Sequence, residues 1–595
     1  MINNFPAKNQ GYTYLQTNRS DDLGSLWSTL NLDFQSNLGT MRVAPRLKKN
    51  TNTTDQANLG EPVAFKYFGV FHTIAGTRIF VGGVSANNVF TPDTAANSQT
   101  TYSAFSDLQI FNGILFSTTI NEIWSLDGVG GTWTRRGGAA PLGSSSHMMT
   151  YFKKFNRLYV IGDGTLIYSL NTAYTLATSG DYSLNLNSPN QQEVSICMKA
   201  TSDSIWIGAG NYLNETGRGK IYQWDGISAQ VTNEYILDAN ACMAILIHND
   251  VPYAFDSNGA LLKFNGSSFE EIGRLPNNNL VNTGYFNNVG FIHPNGLLAT
   301  KNDTILALVR NRNNDSTSSI QENLPSGVWE WSSDFGFTHK HSISYNPVAS
   351  STITDYGQNR VALTGALSNG DALSSPTGTG TILVGVNYYT DATNIVSGIF
   401  VDDSENTIQK KGYFVTTWFN SQQIEDKWAR IWTVYRRFLA SNDSIVLKYR
   451  LYEEEPIEAT ITWTSTTTFT TTTDVTAYSP TATGFNGTTG GEVEIINGTG
   501  GASCAHITSI INNAGTYTVT LDTIITGVTT GTAIARFQKW IKLLPEITGQ
   551  VKSWEQMAIG MNNTRIQIKG CLTFTGDDEF QKFALVSNED IKSNL

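Results

Sequence analysis

A short strand-and-turn pattern recurs along the first half of the chain. Large apolar side chains occupy alternate positions over four or five residues, and an Asp or Asn, usually followed by Gly, ends the run. Alternation places one set of side chains on a buried face of a strand. Asp-Gly or Asn-Gly supplies the positive φ of a tight hairpin turn. The copies are 123–128 (IWSLDG), 167–171 (IYSLN), 221–226 (IYQWDG), 261–266 (LLKFNG) and 328–332 (VWEWS).

A second pattern precedes each copy, so that every unit consists of strand, polar turn, strand, turn and strand. It occurs at 112–117 (NGILFS), 156–162 (NRLYVIG), 203–208 (DSIWIG), 249–254 (NDVPYA) and 303–308 (DTILAL). The closing residues Asp127, Asn171, Asp225 and Asn265 are 44, 54 and 40 residues apart. Four short strands in about 40–50 residues is the blade size of a β-propeller.

The sequence therefore predicts an all-β fold with a propeller of about six to eight blades. A β-sandwich and a β-solenoid are the alternatives, but a sandwich would not repeat one pattern five times and a solenoid has a shorter, stricter period. The residues singled out are structural turn residues of the blades: Asp127, Gly128, Asn171, Asp225, Gly226, Asn265 and Gly266.

The character of the sequence changes outside the repeats, which indicates four regions. Residues 1–60 have few periodic runs and predict an extended N-terminal arm, and 61–456 contain the blades. Residues 457–540 are rich in Thr, alternate cleanly and have Gly-rich turns, which is typical of short strands. They predict an inserted small β-barrel or sandwich. Residues 541–595 predict C-terminal strands that complete the propeller or its last sheet.

Composition and charge narrow the function classes. Charged residues make up 15% of the chain, against a usual value of about 25%, and the formal net charge is −11. No run of Lys or Arg exceeds two residues, so the basic stripe of a nucleic-acid grip is missing. The first ten residues, MINNFPAKNQ, lack the apolar core of a signal peptide, and no stretch reaches the length of a membrane helix.

Several residues have the spacing of metal-binding or reactive groups, but a structural role accounts for each of them. His339 and His341 have a metal-ligand spacing but no third ligand, so a surface strand is expected. Cys504 and His506 could form a thiol–imidazole pair, again with no third group. The four cysteines, Cys197, Cys242, Cys504 and Cys571, are expected to be buried small apolar residues without a disulfide framework.

Glycosidase chemistry needs two carboxylates across a cleft. The carboxylate clusters at 402–403, 453–455 and 577–578 offer no pair distinguished from solvated turns. Gly208 and Gly210 follow a predicted strand but precede no helix, which argues against a phosphate loop. Four aromatic residues could stack on sugars, although packing between blades is the more ordinary role: Tyr102, Tyr174, Tyr388 and Tyr389.

Three segments carry a resemblance to a known family. They are 31–46 (NLDFQSNLGTMRVAPR), the insert from 491 to 507 with its Gly-rich turn, and 564–570 (TRIQIKG). In order and punctuation they resemble tail hub and nozzle proteins of short-tailed bacteriophages, which are similar to packaged-DNA stabilisation proteins. The resemblance implies a propeller in a ring below the portal and adaptor, located in the virion.

The function expected from the resemblance is therefore structural, with no enzyme activity, no cofactor and no metal. Its partners would be copies of the chain in a ring and adjacent adaptor, fibre or tail-tip proteins, with the genome passing without sequence-specific binding. The alternative is a propeller at the tail tip or fibre base that binds a host-surface glycan or receptor. A glycosidase is the third reading.

Overall fold

The computed structural model describes 2–5, 26–33, 41–44, 47–49, 64–67, 70–75, 78–82, 91–92, 107–119, 122–127, 132–136, 147–162, 164–174, 183–186, 193–211, 217–275, 292, 294–300, 303–309, 327–341, 367–369, 382–389, 395–402, 410–416, 419–420, 428–435, 443–451, 456–485, 487–498, 505–525, 531–543, 547–548, 553–557, 565–574 and 580–587. Their regular structure is β1–β47 and two single-turn 3₁₀ helices, Lys153–Phe155 and Thr476–Tyr478.

Five short strands precede the first blade. They are β1 (Ile2–Phe5), β2 (Leu26–Leu30), β3 (Leu32–Asp33), β4 (Arg42–Val43) and β5 (Leu47–Lys49).

The next 27 strands, β6 to β32, build seven blades, of which the first six are four-stranded antiparallel meanders in chain order. Blade 1 contains β6 (Ala64–Tyr67), β7 (Val70–Ala75), β8 (Arg78–Gly82) and β9 (Thr91–Pro92). Blade 2 contains β10 (Asp107–Phe111), β11 (Ile114–Thr118), β12 (Ile123–Leu126) and β13 (Trp133–Arg135). Blade 3 contains β14 (Met149–Phe152), β15 (Arg157–Ile161), β16 (Leu166–Leu170) and β17 (Leu184–Asn185).

The remaining blades follow the same plan, apart from the last strand of the seventh. Blade 4 contains β18 (Glu193–Ala200), β19 (Ile205–Asn211), β20 (Lys220–Trp224) and β21 (Asn233–Ile236). Blade 5 contains β22 (Cys242–His248), β23 (Val251–Asp256), β24 (Ala260–Phe264) and β25 (Phe269–Arg274). Blade 6 contains β26 (Leu297–Ala299), β27 (Ile305–Val309), β28 (Gly327–Ser332) and β29 (Gly336–His341). Blade 7 contains β30 (Leu367–Asn369), β31 (Ile382–Tyr389), β32 (Ile395–Asp402) and β5.

The seven blades close into a ring. The first strand of each blade contacts the first strand of the next, from β6 through β10, β14, β18, β22 and β26 to β30, and β30 contacts β6. The outermost strand of blade 7 comes from the N-terminal segment, because Leu47 pairs with Asp402 and Lys49 with Phe400. The predicted all-β propeller is confirmed, and its seven blades lie within the predicted number.

Glycines allow blades 4 and 5 to lie unusually close. Gly210 on β19 forms an isolated β-bridge with Ala241, the residue before β22. A Cβ at Gly210 or Gly219 would approach Ala241 closer than 3.0 Å, a separation that real Cβ atoms essentially never show. The Gly208–Gly210 segment, which could be mistaken for a phosphate loop, is therefore the surface on which the next blade packs.

After blade 7 the chain forms two further antiparallel sheets. A seven-stranded sheet runs in the order β2-β33-β46-β36-β43, with β34 also pairing with β46 and β44 with β36. A four-stranded sheet runs β1-β47-β35-β45. The new strands are β33 (Lys410–Thr416), β34 (Phe419–Asn420), β35 (Trp428–Tyr435), β36 (Ser444–Arg450), β43 (Ile541–Lys542), β44 (Ile547–Thr548), β45 (Ser553–Met557), β46 (Arg565–Phe574) and β47 (Phe580–Ser587).

A closed six-stranded barrel is inserted between β36 and β43, in the order β37-β38-β41-β40-β39-β42. Its strands are β37 (Ile457–Trp463), β38 (Thr468–Thr471), β39 (Glu492–Gly498), β40 (Ala505–Asn513), β41 (Thr516–Leu521) and β42 (Thr532–Gln538). Alternate residues such as Ile461, Phe469, Val519 and Phe537 fill one continuous core. Closure leaves no unpaired strand edge.

The N-terminal segment ties these parts together. Besides closing blade 7 through β5, it adds β1 to the edge of β47 and β2 to the edge of β33. Between them, the backbone N–H of His339 on β29 donates to Thr29 Oγ1 at 3.1 Å, and the N–H of Asn31 donates to His339 Nδ1 at 3.2 Å. One segment thus joins blades 6 and 7 to both C-terminal sheets.

Candidate functional site

The predicted turn residues lie directly after the third strand of their blades. Asp225 Oδ1 accepts the backbone N–H groups of Ile227 at 2.9 Å and Ser228 at 2.8 Å, and Gly226 has φ +85°. Asn265 makes the equivalent bonds to 267 and 268, both at 2.9 Å, and Gly266 has φ +103°. These are side-chain-capped turns in which only glycine adopts the following φ without strain.

The other predicted turn residues follow the same position in blades 2 and 3. Asn171 Oδ1 accepts the N–H of Ala173 at 2.9 Å. Asp127 is exposed at the end of β12, and Gly128 lies outside the described residues. In a meander, the first and third turns of a blade lie at the same end, so these residues share one face of the propeller with the turns between first and second strands.

On that face, side chains connect the first turns of consecutive blades. Their bonds join blades 3, 4, 5 and 6 in series: Lys154 Nζ to Asp203 Oδ1 at 3.6 Å, Ser202 N to Asp250 Oδ1 at 2.7 Å, and His248 Nε2 to Asp303 Oδ1 at 2.8 Å. Most of these groups are solvent-exposed, so each contributes little individually. Together they link four neighbouring blades along this face.

The paired histidines of β29 are not on a surface strand. His339 and His341 are both buried, and the His339 ring packs edge-on against Trp329 with centroids 5.4 Å apart. The expectation of exposure is wrong because β2 of the N-terminal segment covers the outer strand of blade 6, which the local pattern does not reveal. Within the described ranges, no group of three or more His, Cys, Asp or Glu could hold a metal ion.

The remaining sequence candidates are scattered. Tyr174 packs against Phe111 and Phe116, with Arg136 over its ring at 5.3 Å, so its role is packing. Several others lie wholly or by their side chains outside the described residues: Tyr102, Tyr388, Tyr389, Cys504, 402–403, 453–455 and 577–578. Cys197 and Cys242 are buried free thiols, whereas Cys571 is disulfide-bonded, so the expectation of four unpaired cysteines is wrong for Cys571.

The most unusual site is a buried charge cluster between the barrel and the seven-stranded sheet. Glu492 on β39 accepts a hydrogen bond from Lys448 Nζ on β36 at 2.7 Å and another from Lys569 Nζ on β46. Lys448 and Lys569 are directly opposite in the sheet. The three side chains are 0–3% exposed. One carboxylate from the barrel thus bridges two ammonium groups of the sheet.

Aromatic and amide groups surround this cluster. The buried Trp540, in the link from barrel to sheet, lies beneath the Arg450 guanidinium at 4.6 Å and donates from Nε1 to Gln538 at 2.5 Å. Lys569 Nζ lies 4.5 Å from the centroid of the Tyr413 ring. Arg450 Nε donates to Gln567 Oε1 at 2.6 Å. The charges are therefore enclosed by cation–π contacts and by directed hydrogen bonds.

His506 and Asp522 extend the cluster on the barrel side. His506 lies opposite Glu492 in the barrel and donates from Nδ1 to the Gly490 carbonyl at 2.9 Å. Asp522 accepts from the His506 backbone N–H at 2.8 Å and from Lys542 Nζ of β43 at 3.0 Å. A second ionic link from barrel to sheet is thus formed beside the first.

The pKa values follow from burial and charge. Burial alone would raise the pKa of Glu492, but Lys448 and Lys569 outweigh it and lower the pKa to about 2. Burial lowers the pKa of Lys448 to about 8 against the pull of Glu492. The two pKa values are lowered for different reasons. Glu492 faces two ammonium groups, which favour its charged form, whereas Lys448 is buried and also faces the like charge of Lys569. Burial, with the charge of Lys448, lowers the pKa of His506 to about 3, so its imidazole is neutral.

This arrangement fixes orientation. The chain connects the barrel to the sheet at two places, 451–456 after β36 and 539–540 before β43, and these strands pair with each other. Two such connections alone would allow the barrel to rotate relative to the sheet. Glu492 reaches Lys448 and Lys569 in only one position of the barrel. Any other position would leave buried charges uncompensated, which is costly. Sequence reasoning missed the site because Gln567 and Lys569 alternate with Ile566 and Ile568 and resemble a solvated face.

The propeller axis contains a smaller polar cluster. Asn295, just before blade 6, donates from Nδ2 to Asp107 Oδ1 of blade 2 at 3.3 Å and accepts from Lys199 Nζ of blade 4 at 3.0 Å. Because blades 2 and 6 are not neighbours in the ring, these bonds cross the central channel.

No helix in the described parts of the chain is long and apolar enough to span a bilayer. No protein-family model and no curated protein matches the sequence.

Among solved structures, the chain is similar to one in the "Crystal Structure of Mitotic Checkpoint Complex", with 10% identity, a TM-score of 0.36, and coverage of 60% of this chain and 94% of that chain. It is also similar to Raptor of Chaetomium thermophilum, with 12% identity, a TM-score of 0.38, and coverage of 61% and 30%. The N-terminal domain of Nup159 gives 12% identity, a TM-score of 0.32, and coverage of 60% and 96%. The propeller assignment rests on the strand order and ring closure described above.

Proposed function

We propose that this chain is a structural subunit of a bacteriophage tail that assembles with its own copies into a ring or hub, as in the nozzle proteins it resembles. The observation that carries the proposal is the way its parts are joined. The N-terminal segment shares strands with three sheets, and Glu492 with its two lysines fixes the barrel. A subunit built this way presents its docking surfaces at constant relative positions.

The bridged propeller axis supports a particular position for a DNA duct. The Asn295 bonds to Asp107 and Lys199 cross the channel of the single propeller. A duct for the genome would therefore be enclosed between copies, at the centre of the ring. A net charge of −11 favours passage over retention, because an acidic wall repels phosphate.

The test is the assembly state of the purified full chain, measured by electron microscopy and by mass determination from light scattering. We expect rings with one fixed subunit number. A chain that stays monomeric at all concentrations and binds host cells saturably would overturn the proposal in favour of a receptor-binding propeller. Cleavage of host polysaccharide by the same preparation would overturn it in favour of a glycosidase.

A further inference from the structure

Two free cysteines meet at the junction of blades 4 and 5. Cys197 lies on β18 and Cys242 begins β22, the innermost strands of these blades. Both are buried, and their Sγ atoms are 4.0 Å apart. A disulfide has an S–S distance of about 2.05 Å, so the sulfurs need to approach by about 2 Å.

Backbone pairing fixes the strands that carry the two cysteines, independently of any contact between the sulfurs. Gly208 pairs in register with Cys197, and a Cβ at Gly208 would lie closer than 3.0 Å to both sulfurs. The missing side chain therefore leaves the space in which the thiols meet. Gly210 forms its β-bridge with Ala241, next to Cys242. With the strands fixed in this way, the movement that remains is at the two side chains.

Oxidised sulfur is already part of this chain, because Cys571 is disulfide-bonded. Conditions that form that bond supply an oxidant for a second pair. We propose that Cys197 and Cys242 are a disulfide-forming site that links blade 4 covalently to blade 5, with a low-molecular-weight disulfide such as oxidised glutathione as the oxidant.

The chemistry is two successive exchanges. One cysteine, as thiolate, attacks a sulfur of the oxidant, forms a mixed disulfide and expels one glutathione thiolate. The second cysteine thiolate attacks the protein sulfur of that mixed disulfide and expels the other glutathione. Two electrons pass from the cysteines to the oxidant disulfide, and the two protons of the cysteines end on the two released glutathione thiols.

The closed junction controls when this reaction starts. Burial, and then the neighbouring Cys197, raise the pKa of the Cys242 thiol, so the thiolate is scarce while the blades are packed. Exchange therefore begins while blade 5 is docking during folding, or when the junction opens locally. Once formed, the bond closes a loop between residues 45 apart, which restricts the unfolded chain.

The test uses the full-length protein, denatured and refolded with either reduced or oxidised glutathione, then alkylated and mapped by peptide mass spectrometry without reduction. We expect a peptide linked through Cys197 and Cys242 in the oxidised sample, and an unfolding midpoint higher by on the order of 5 °C. In Cys197→Ser, Cys242→Ser and the double variant, the oxidant should raise the midpoint less than in the unsubstituted chain, because only the disulfide of Cys571 then responds to it.

Peptide mapping of the unsubstituted chain decides the question even if a variant fails to fold. Full alkylation of both cysteines after oxidative refolding would overturn the proposal, as would linkage of either one to a different cysteine. A mixed disulfide with glutathione that persists at either position would also overturn it, because the second exchange would then be blocked.

Discussion

The junction of blades 4 and 5 and the junction of barrel and sheet are both buried, but they use opposite chemistry. Between the blades, small residues such as Gly210 and Ala241 bring strands into direct contact. At the barrel, Glu492 and the two lysines meet in a dry interface. Apolar contact tolerates small shifts, whereas a buried carboxylate tolerates few. The propeller is thus stabilised by packing, and the barrel is oriented by charge.

The sharpest way to break the charged junction is Glu492→Gln, which removes the carboxylate that bridges Lys448 and Lys569. Because an uncompensated buried charge is costly, we expect a loss of about 3–5 kcal/mol in the free energy of unfolding of the barrel and sheet. Urea denaturation followed by tryptophan fluorescence measures it. The control is Asp238→Asn in an exposed ion pair with Arg218, for which a change below about 0.5 kcal/mol is expected.

A triple replacement of Lys448, Glu492 and Lys569 by Met sharpens the same point. Stability should return to near the original value, because apolar side chains of similar size avoid desolvating charge. If the triple variant were as unstable as Glu492→Gln, uncompensated buried charge would not be the cause of the loss in Glu492→Gln.

The second prediction concerns acid. Burial and Lys448 lower the pKa of His506 to about 3 in the folded protein. As the pH falls below about 6.5, the imidazole of residue 506 is therefore protonated in the unfolded chain but stays neutral in the folded one. Stability of the junction is therefore full above that range and falls by about 2 kcal/mol between pH 7 and pH 5. His506→Asn should remove this part of the pH dependence. Urea denaturation of the unsubstituted chain and of His506→Asn at several pH values measures the effect. The same pH dependence of the free energy of unfolding in both proteins would contradict the prediction.

The glycine-packed junction should respond more mildly. Gly210→Ala forces its new methyl group against Ala241 and against the end of the Ile196 side chain, and we expect a loss of about 1–2 kcal/mol by thermal or urea unfolding. The matched control is Gly210→Ala combined with Ala241→Gly, which removes the opposing methyl group. Equal instability of the single and double variants would show that contact between these two residues is not the cause.

The smallest effect is expected on the turn face. Asp250→Gly removes two hydrogen bonds to Ser202 that link blade 4 to blade 5, and glycine accepts the φ of +63° that residue 250 adopts. Because the site is exposed, water replaces them and the loss should be about 0.5 kcal/mol. A loss as large as that of Glu492→Gln would mean that the turn network, and not packing, holds the blades together.

The sequence pattern predicts the blades well because each hairpin is determined by residues close together in the chain. Alternating side chains and Asx-Gly turns decide a hairpin within a few residues, and Asp225 and Asn265 end third strands as expected. The cluster was invisible because its members, Lys448, Glu492 and Lys569, are up to 121 residues apart (448 to 569) and each follows an ordinary alternating pattern. The predicted exposure of His339 is wrong for the same reason, because the strand that buries it contains Thr29, 310 residues away in the sequence.

Closure of blade 7 by β5 also sets an order of events during translation. Leu47–Lys49 cannot form its pairing with β32 until Phe400–Asp402 has been synthesised. At about 5–20 residues per second this delay lasts roughly 20–70 s. Throughout it, β5 has been synthesised but β32, the strand on which it pairs, has not, and the ring of blades stays open. The nascent chain therefore has a long interval in which an unpaired strand edge can be captured by another chain.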